Sequence, residues 1–279
     1  MRVSILSAFL FFALAGAAAA GTKRPDWVKL YTFDCGRVTV ADKDIYSDGG
    51  EYEGQSVDLI APCFLVRHPR GDLMWDTGVS DTLAGRADGF TSGIFTFHVE
   101  QTVESQLAQI GVTPDEIEYL ALSHWHSDHT GNANLFAGST WIVNPNERAH
   151  MFRDEAREGR GFQYYKELES ARTMRITGNL DLFRDGTVVV MQTPGHTPGH
   201  LSLRLILPKA GTIYLSGDLY HVEENRAHRR VPRFNHDRAA TLSSMDAIES
   251  NLAIRKGRLI IQHDARSSGT LPRAPEYLE

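Results

Sequence analysis

The chain has 279 residues, a length that can bury a sizeable core as one large domain or two small ones. Its composition, 42% hydrophobic and 23% charged, is that of a globular protein and excludes the disordered and fibrous classes. The net charge of -6 at pH 7 lacks the basic excess of nucleic-acid binders, so we expect no nucleic-acid partner.

The N-terminal segment has the features of a cleavable secretory signal. Arg2 precedes an apolar stretch at residues 3–15, and small residues then offer an A-x-A cleavage site at residues 18–20. A membrane anchor would need roughly 20 strongly apolar residues, and the Ala/Gly tail of this segment fits processing better. We therefore expect a signal peptide at residues 1–20 and one catalytic domain at residues 21–279. The mature protein should be periplasmic or secreted, with no stable membrane insertion after cleavage.

Strand-like runs rich in β-branched and aromatic residues alternate with helical patterns along the chain. The chain divides into two halves that each show this pattern. This organisation indicates two sheets packed face to face and flanked by helices. We therefore expect an α/β fold with four layers, αββα, in one domain. In chain order we expect strands at residues 30–35, 57–68 and 72–78, a helix that ends at Gly111, strands at 117–124, 140–144, 186–193, 200–207 and 212–218, a helix at 238–254, and a strand at 258–263.

The chain has two cysteines, Cys35 and Cys63, which lie 28 positions apart. In an exported protein such a pair can form a disulfide. Cys63 also sits in the apolar run "LIAPCFLV", where a buried free thiol is equally natural, so both states stay open. With no further cysteines, a metal site would have to use histidines and carboxylates.

The stretch "SHWHSDHTGN" holds three histidines and one aspartate within six residues, directly after an expected strand. In H-x-H an extended backbone turns His124 and His126 to the same side, so that two imidazoles can bind one ion. Asp128 and His129 lie past the bend and face a neighbouring position. Neutral imidazole suits Zn²⁺ and similar ions, and a carboxylate adds charge or moves protons. The pattern predicts a metal site rather than a solvated polar turn.

More metal-capable side chains lie at the ends of later strands. His196 and His200 belong to the loop "TPGHTPGH", Asp218 ends "TIYLSGD", and His263 ends "RLIIQH". Loops held by a rigid sheet edge are where protein sites are usually built. We expect His196, Asp218 and His263 to act as metal ligands. We expect His200 to stabilise its loop without binding the metal.

The H-x-H-x-D-H pattern resembles the signature of the metallo-β-lactamase superfamily, and "LMWDTG" at residues 73–78 resembles a structural loop of the same group. The likeness covers nearly the whole mature chain and implies that superfamily's four-layer fold with two divalent metal ions. Zn²⁺ is the expected ion, with Mn, Fe or Co as alternatives. The ligands implied are His124, His126 and His196 for the first metal, Asp128, His129 and His263 for the second, and Asp218 as a bridge between both.

Two metals indicate hydrolysis by a metal-bridging hydroxide, for which Asp128 is the natural proton shuttle. The segments "GDLYHVEEN" and "LIIQHDARSSGTLPRAPEYLE" resemble the N-acyl homoserine lactonases, which quench quorum-sensing signals. This resemblance implies ring opening of a small acyl lactone. Alternative substrates are another ester, a thioester as in glyoxalase II, or a phosphotriester. A different alternative is a non-catalytic zinc-binding protein. Asp218 argues against β-lactamase activity because true metallo-β-lactamases lack the bridging aspartate.

The substrate-contacting residues are less well defined. The lactonases carry a tyrosine three positions after the bridging aspartate, where it contacts the lactone carbonyl. Here that position is His221, while Tyr220 is one residue early, so each is a candidate. The phenylalanine-rich residues 87–101 are either core and dimer contacts or the lining of an acyl-chain pocket. Acyl-chain preference, native metal and oligomeric state stay open.

Overall fold

Two β-sheets, one of nine strands and one of five, form the centre of the structure, a computed structural model that describes residues 23–279. The signal peptide expected at residues 1–20 lies outside the described residues and stays a prediction. Within the described part of the chain, no helix combines the length and apolar character that a membrane crossing requires.

The larger sheet is built around a long antiparallel hairpin, β1–β2, with the short hairpin β4–β5 on one side of it. On the other side, β3, β6, β7 and β8 run parallel, so their carboxyl ends share one edge. The strands of this sheet are β1 (Lys29–Val40), β2 (Val57–Arg67), β3 (Leu73–Trp75), β4 (Phe90–Ser92), β5 (Phe95–His98), β6 (Tyr119–Ala121), β7 (Thr140–Val143), β8 (Thr173–Arg175) and β14 (Tyr277–Leu278).

The smaller sheet has the order β13-β12-β11-β10-β9. Its pairs are antiparallel except β12 and β13, which are parallel and therefore end at the same edge. Its strands are β9 (Leu180–Asp181), β10 (Val188–Gln192), β11 (Leu201–Leu207), β12 (Gly211–Leu215) and β13 (Arg258–Ile260).

The two sheets pack face to face through an apolar core. Strand β2 shows how: Phe64 and Val66 face Leu203 and the rest of the smaller sheet, whereas Leu65 belongs to the cluster on the opposite face. Because both faces of this strand are buried, its sequence is a continuous apolar run rather than an alternating one.

Helices cover the outer face of each sheet and complete four layers. Helix α1 packs on the larger sheet, while α6 packs on the smaller one through Met245, Ile248 and Leu252, which recur at helical spacing. The predicted αββα sandwich is therefore confirmed.

The α-helices are α1 (Val103–Gln109), α2 (Ser127–Thr130), α3 (Pro145–Met151), α4 (Asp154–Arg157), α5 (Glu223–His228), α6 (Arg238–Arg255) and α7 (Ala265–Ser268). The 3-10 helices are Lys43–Tyr46, Asp81–Leu83, Pro114–Glu116, Ala133–Phe136, Arg160–Tyr164, Lys166–Glu169 and Gly217–Leu219.

Cys35 and Cys63 form a disulfide between β1 and β2, so the free-thiol alternative is not the state seen. Cys35 lies at an irregularity of the hairpin between Asp34 and Arg37. There its backbone carbonyl accepts a hydrogen bond from the Val79 amide, in the loop that follows β3. The disulfide therefore lies next to the loop after β3, which also carries Asp76.

Candidate metal centre

The H-x-H-x-D-H stretch follows β6 at the edge where the parallel strands end. His126 is extended, with φ -62° and ψ 153°, and helix α2 begins directly after it. The extended segment carries His124 and His126, while the short helix turns Asp128 and His129 toward a second position. This change from extended to helical backbone explains how one stretch serves two clusters.

The first cluster joins three imidazoles and one carboxylate oxygen. The distance from His126 Nδ1 is 2.8 Å to His124 Nε2 and 3.1 Å to His196 Nε2. Asp218 Oδ2 lies 3.5 Å from both of those Nε2 atoms. The candidate ligand atoms of these four residues all lie within 4.8 Å of one another.

The second cluster is adjacent. His129 Nε2 and His263 Nε2 are 3.0 Å apart, and Asp128 Oδ2 lies 3.5 Å from His263 Nε2. Asp218 Oδ1 is 3.1 Å from His129 Nε2 and 3.0 Å from His263 Nε2. The structure thus brings all seven residues expected as ligands into one region, where all but His126 and Asp128 are buried.

Asp218 lies at the junction, with one carboxylate oxygen facing each cluster. Its position depends on Gly217, which has φ +54°, and a Cβ on that residue would lie 2.6 Å from His200 Nε2. The same His200 nitrogen accepts the Asp218 amide at 2.9 Å, while His200 Nδ1 lies 3.0 Å from the Thr193 carbonyl. His200 therefore holds the backbone of Asp218 and is not part of either cluster.

The protonation of the first-cluster histidines suits metal binding. Burial lowers the pKa of His124 and His196 well below the usual histidine value and that of His126 to about 4. At neutral pH these imidazoles are uncharged and offer lone pairs, as ligands must. Burial alone would raise the pKa of Asp218, but the surrounding histidines, His263 first, outweigh it and keep the carboxylate ionised. Five converging imidazoles and two carboxylates fit two divalent cations.

Asp76, from the "LMWDTG" stretch, is the main support of the second cluster. Its Oδ1 accepts the Ser123 amide at 2.6 Å, and its Oδ2 lies 2.9 Å from His129 Nδ1. Asp76 Oδ2 also accepts Gln262 Nε2 at 2.9 Å, and Gln262 precedes the ligand His263. One buried carboxylate thus fixes the ring of one ligand and the loop of another, a common arrangement around metal ligands.

A cavity of about 480 Å³ opens beside the two clusters. Asp128 and Asp218 form part of its wall, while much of the remainder is aromatic or aliphatic. The apolar lining includes Val38, Ile45, Val79, Leu83, Phe90, Phe95, Phe97 and Phe234. The phenylalanine-rich stretch before α1 therefore lies at the site, as one of its two interpretations expected.

The family model of the metallo-beta-lactamase superfamily matches residues 57–255, which include six of the seven expected ligands. The chain belongs to this superfamily. Its curated relatives include N-acyl homoserine lactonase AttM of Azorhizobium caulinodans, 26% identical over 264 residues that cover 90% of this chain and 99% of the relative. N-acyl homoserine lactonase AiiA of Bacillus thuringiensis subsp. kurstaki is 26% identical over 260 residues, with 90% and 98% covered.

Solved structures extend the comparison within the superfamily. An N-acyl homoserine lactone hydrolase with the product N-hexanoyl-L-homoserine bound at its catalytic metal center has a TM-score of 0.76 and 26% identity. That match covers 90% of this chain and 98% of the other. AidC, a dizinc quorum-quenching lactonase, has a TM-score of 0.62 at 16% identity and supports the fold alone. The predicted resemblance to this superfamily and to its lactonases is confirmed.

The two candidates for substrate contact, Tyr220 and His221, are placed differently. His221 lines the cavity, with its Nε2 3.0 Å from Asp218 Oδ2. Tyr220 is buried in the cluster beneath α6, and its hydroxyl donates to Glu249 Oε1 at 3.1 Å. The expectation that Tyr220 reaches the substrate is corrected, because its hydroxyl is held outside the cavity by a carboxylate on α6.

Sequence reasoning missed two residues of this superfamily site. Glu147, on α3, is buried and accepts three hydrogen bonds from the two loops that carry the first-cluster histidines. Tyr46, in the 3-10 helix Lys43–Tyr46, lines the cavity. Neither belongs to a recognisable motif, and both are far in sequence from the ligands that they adjoin, so only the folded chain reveals them.

Proposed function

We propose that this metal-dependent hydrolase opens the lactone ring of N-acyl homoserine lactones. The observation that carries the proposal is the pair of clusters joined by Asp218 beside an apolar cavity, in a chain whose curated relatives are N-acyl homoserine lactonases. A polar ring with an alkyl tail matches this combination of a buried polar centre and an apolar wall.

The hairpin β4–β5 supplies the binding surface for the acyl tail. Phe90, Phe95 and Phe97 lie along this hairpin, and all three line the cavity. Each methylene of a buried alkyl chain contributes about 0.8 kcal/mol through removal from water. We therefore expect longer acyl chains to bind more tightly until the cavity is filled.

The polar end of the substrate lies at the clusters. When bound, two divalent ions polarise the lactone carbonyl and lower the pKa of water near it. Water oxygen adds to the carbonyl carbon, the ring C–O bond breaks, and the departing oxygen takes a proton to give N-acyl homoserine. Asp128 borders the cavity with its side chain partly exposed, and so it can accept the proton of the water and return it to the ring oxygen.

We further propose that the ions are Zn²⁺, since imidazoles outnumber carboxylates in both clusters. Mn, Fe and Co bind similar donor sets, and availability selects among them. Elemental analysis of protein expressed in defined medium, followed by reloading of the stripped chain with each ion in turn, tests the choice. A higher ring-opening rate with another ion at equal occupancy would contradict it.

We also propose that the protein is exported and matures by cleavage after residue 20. The A-x-A site at residues 18–20 and the Cys35–Cys63 disulfide support this, because disulfides persist in oxidising compartments. Mass spectrometry of the protein from the periplasm or medium should find residue 21 at its N-terminus. An uncleaved chain confined to the cytoplasm would contradict export.

A substrate panel tests the proposed reaction. Acid release is followed with a pH indicator for lactones of short and long acyl chains, S-lactoylglutathione and paraoxon. We expect the highest kcat/KM for a lactone and loss of turnover in Asp218→Asn, which removes the bridging charge. Asp246→Asn, an exposed carboxylate on α6, is the matched control. Faster turnover of the thioester or the phosphotriester would assign the site to that substrate instead.

A further inference from the structure

Tyr46 is a buried aromatic residue on the cavity wall that none of the roles above uses. Its side chain ends the 3-10 helix Lys43–Tyr46 and lines the same cavity as Asp128, Asp218 and His221. The Tyr46 ring packs on the His221 imidazole, with ring centroids 4.4 Å apart and planes tilted by 31°. The Tyr46 ring therefore lies beside His221, and it also belongs to the apolar cluster on which Phe95 and Phe97 of the hairpin pack.

The backbone around Tyr46 is fixed by the segment that follows His221. Asn225 Nδ2 donates to the Tyr46 carbonyl at 2.7 Å, and the Arg233 amide donates to the Ile45 carbonyl at 2.9 Å. Asn225 Oδ1 in turn accepts the Val222 amide at 3.1 Å. These bonds tie the position of Tyr46 to that of His221, so the two side chains form one preorganised unit.

The Tyr46 hydroxyl is a donor without a hydrogen-bond partner in the described part of the chain. No hydrogen bond joins this hydroxyl to any residue between positions 23 and 279. Tyr46 as a whole is 4% exposed. A tyrosine phenol has an ordinary pKa of about 10, so the Tyr46 hydroxyl carries its proton at neutral pH. A protonated hydroxyl on a cavity wall is positioned to donate to a ligand.

Tyr220 cannot take this role in the observed arrangement. Its hydroxyl already donates a hydrogen bond to the Glu249 carboxylate. The same carboxylate accepts two hydrogen bonds from Arg226, one from Nε and one from Nη2. Moving the Tyr220 hydroxyl into the cavity would break the contact with Glu249 and vacate a buried position in the cluster under α6. Tyr46, in contrast, needs no rearrangement.

We propose that Tyr46 is a catalytic residue whose hydroxyl donates a hydrogen bond to the lactone carbonyl oxygen, with His221 fixing the orientation of its ring. The inference rests on the proposed lactonase function. The phenol keeps its own proton throughout: the bond to the carbonyl strengthens as negative charge develops on that oxygen, and weakens once the ring C–O bond has broken. Such donors act mainly on the transition state.

Tyr46→Phe tests this role because it removes the hydroxyl and keeps the ring that packs on His221. We expect kcat for ring opening to fall about 100-fold, the cost typical of losing one donor to a developing oxyanion, with a much smaller change in KM. Thermal unfolding and metal content should match those of the parent protein, since the hydroxyl makes no hydrogen bond to residues 23–279.

Tyr220→Phe is the matched variant, because it removes the other nearby phenol and breaks only the bond to Glu249. It should keep the kcat of the parent protein. Unchanged kcat in Tyr46→Phe, or a larger loss in Tyr220→Phe, would overturn the role of Tyr46 while leaving the lactonase function intact. If the parent protein with both metals bound opens no lactone, the proposed function fails first and the role of Tyr46 fails with it.

Discussion

Glu147 shows how one carboxylate outside both clusters can set the geometry of the first cluster. Its Oε1 accepts the Trp125 amide at 2.9 Å, and Trp125 lies between two ligands. Its Oε2 accepts the Thr197 hydroxyl and the Gly199 amide, each at 2.8 Å, in the loop that carries His196. Glu147 therefore connects two loops whose histidines must converge on one ion.

Glu147→Gln should weaken binding of the first metal, because a carboxamide offers only one oxygen and would direct its own N–H toward a donor. We expect the affinity to fall about 10- to 100-fold, the usual effect of losing a group that orients metal ligands. Competition with a chromogenic chelator measures it. Glu155→Gln changes an exposed carboxylate on the neighbouring α4 and should leave the affinity unchanged. Equal affinities in the two variants would exclude this role for Glu147.

The sequence predicted which seven residues the structure brings together, because metal chemistry restricts the residue types and because their positions follow strand ends. The substrate-contacting residues could not be predicted in this way. Tyr220 and His221 are adjacent in sequence, and only the packing of α6 decides which of them faces the cavity. Tyr46 and Glu147 act through contacts that span long sequence separations, for which no local pattern exists.

Among the elements, helix α2 packs closely against the loop after β3. This contact positions Asp128 and His129 of the second cluster. Gly131 ends this helix against the loop after β3, where its amide donates to the Gly78 carbonyl at 2.8 Å. A Cβ at Gly131 would lie 2.3 Å from the Ser80 nitrogen and 2.5 Å from the Gly78 oxygen. Both atoms are backbone, so the loop or the helix would have to move.

Gly131→Ala should therefore displace α2, which carries Asp128 and His129, and lower the free energy of unfolding by about 1–3 kcal/mol, as overpacking does. Its φ of -53° suits alanine, so the effect is steric. Urea unfolding of the metal-free protein measures the change. Gly138→Ala, where a Cβ meets nothing within 4 Å, is the control and should be neutral. Matching unfolding midpoints for both variants would contradict the steric account.

At the level of elements, all nine strands expected from the sequence coincide with strands of the structure, mostly with shorter bounds. The expected strand at residues 117–124, for example, is β6 at Tyr119–Ala121, and the rest of that run forms the loop to the first ligand. The missed strands are short, and some of them, such as β4 and β9, lie at sheet edges. Their pairing depends on neighbours that a local window does not include.

For the whole molecule, hydrophobic patterning predicted the two sheets and four layers because each layer has one apolar face to bury. The sequence left the state of Cys35 and Cys63 open, since an apolar run accommodates a thiol as well as a disulfide. The fold decides it by pairing β1 with β2, which brings the two Cα atoms within 5.7 Å. That pairing is long-range, and the register irregularity beside Cys35 has no clear sequence signal.

The central claim is that two divalent ions, held by clusters that share Asp218, are needed to open a lactone ring. The most direct test strips the protein with a chelator and measures ring opening of a long-chain N-acyl homoserine lactone against Zn²⁺ added per chain. We predict no turnover without metal, and a rate that rises to a maximum at two equivalents bound and then stays constant. Full turnover by the metal-free chain, or an intact lactone with both ions bound, would contradict the claim.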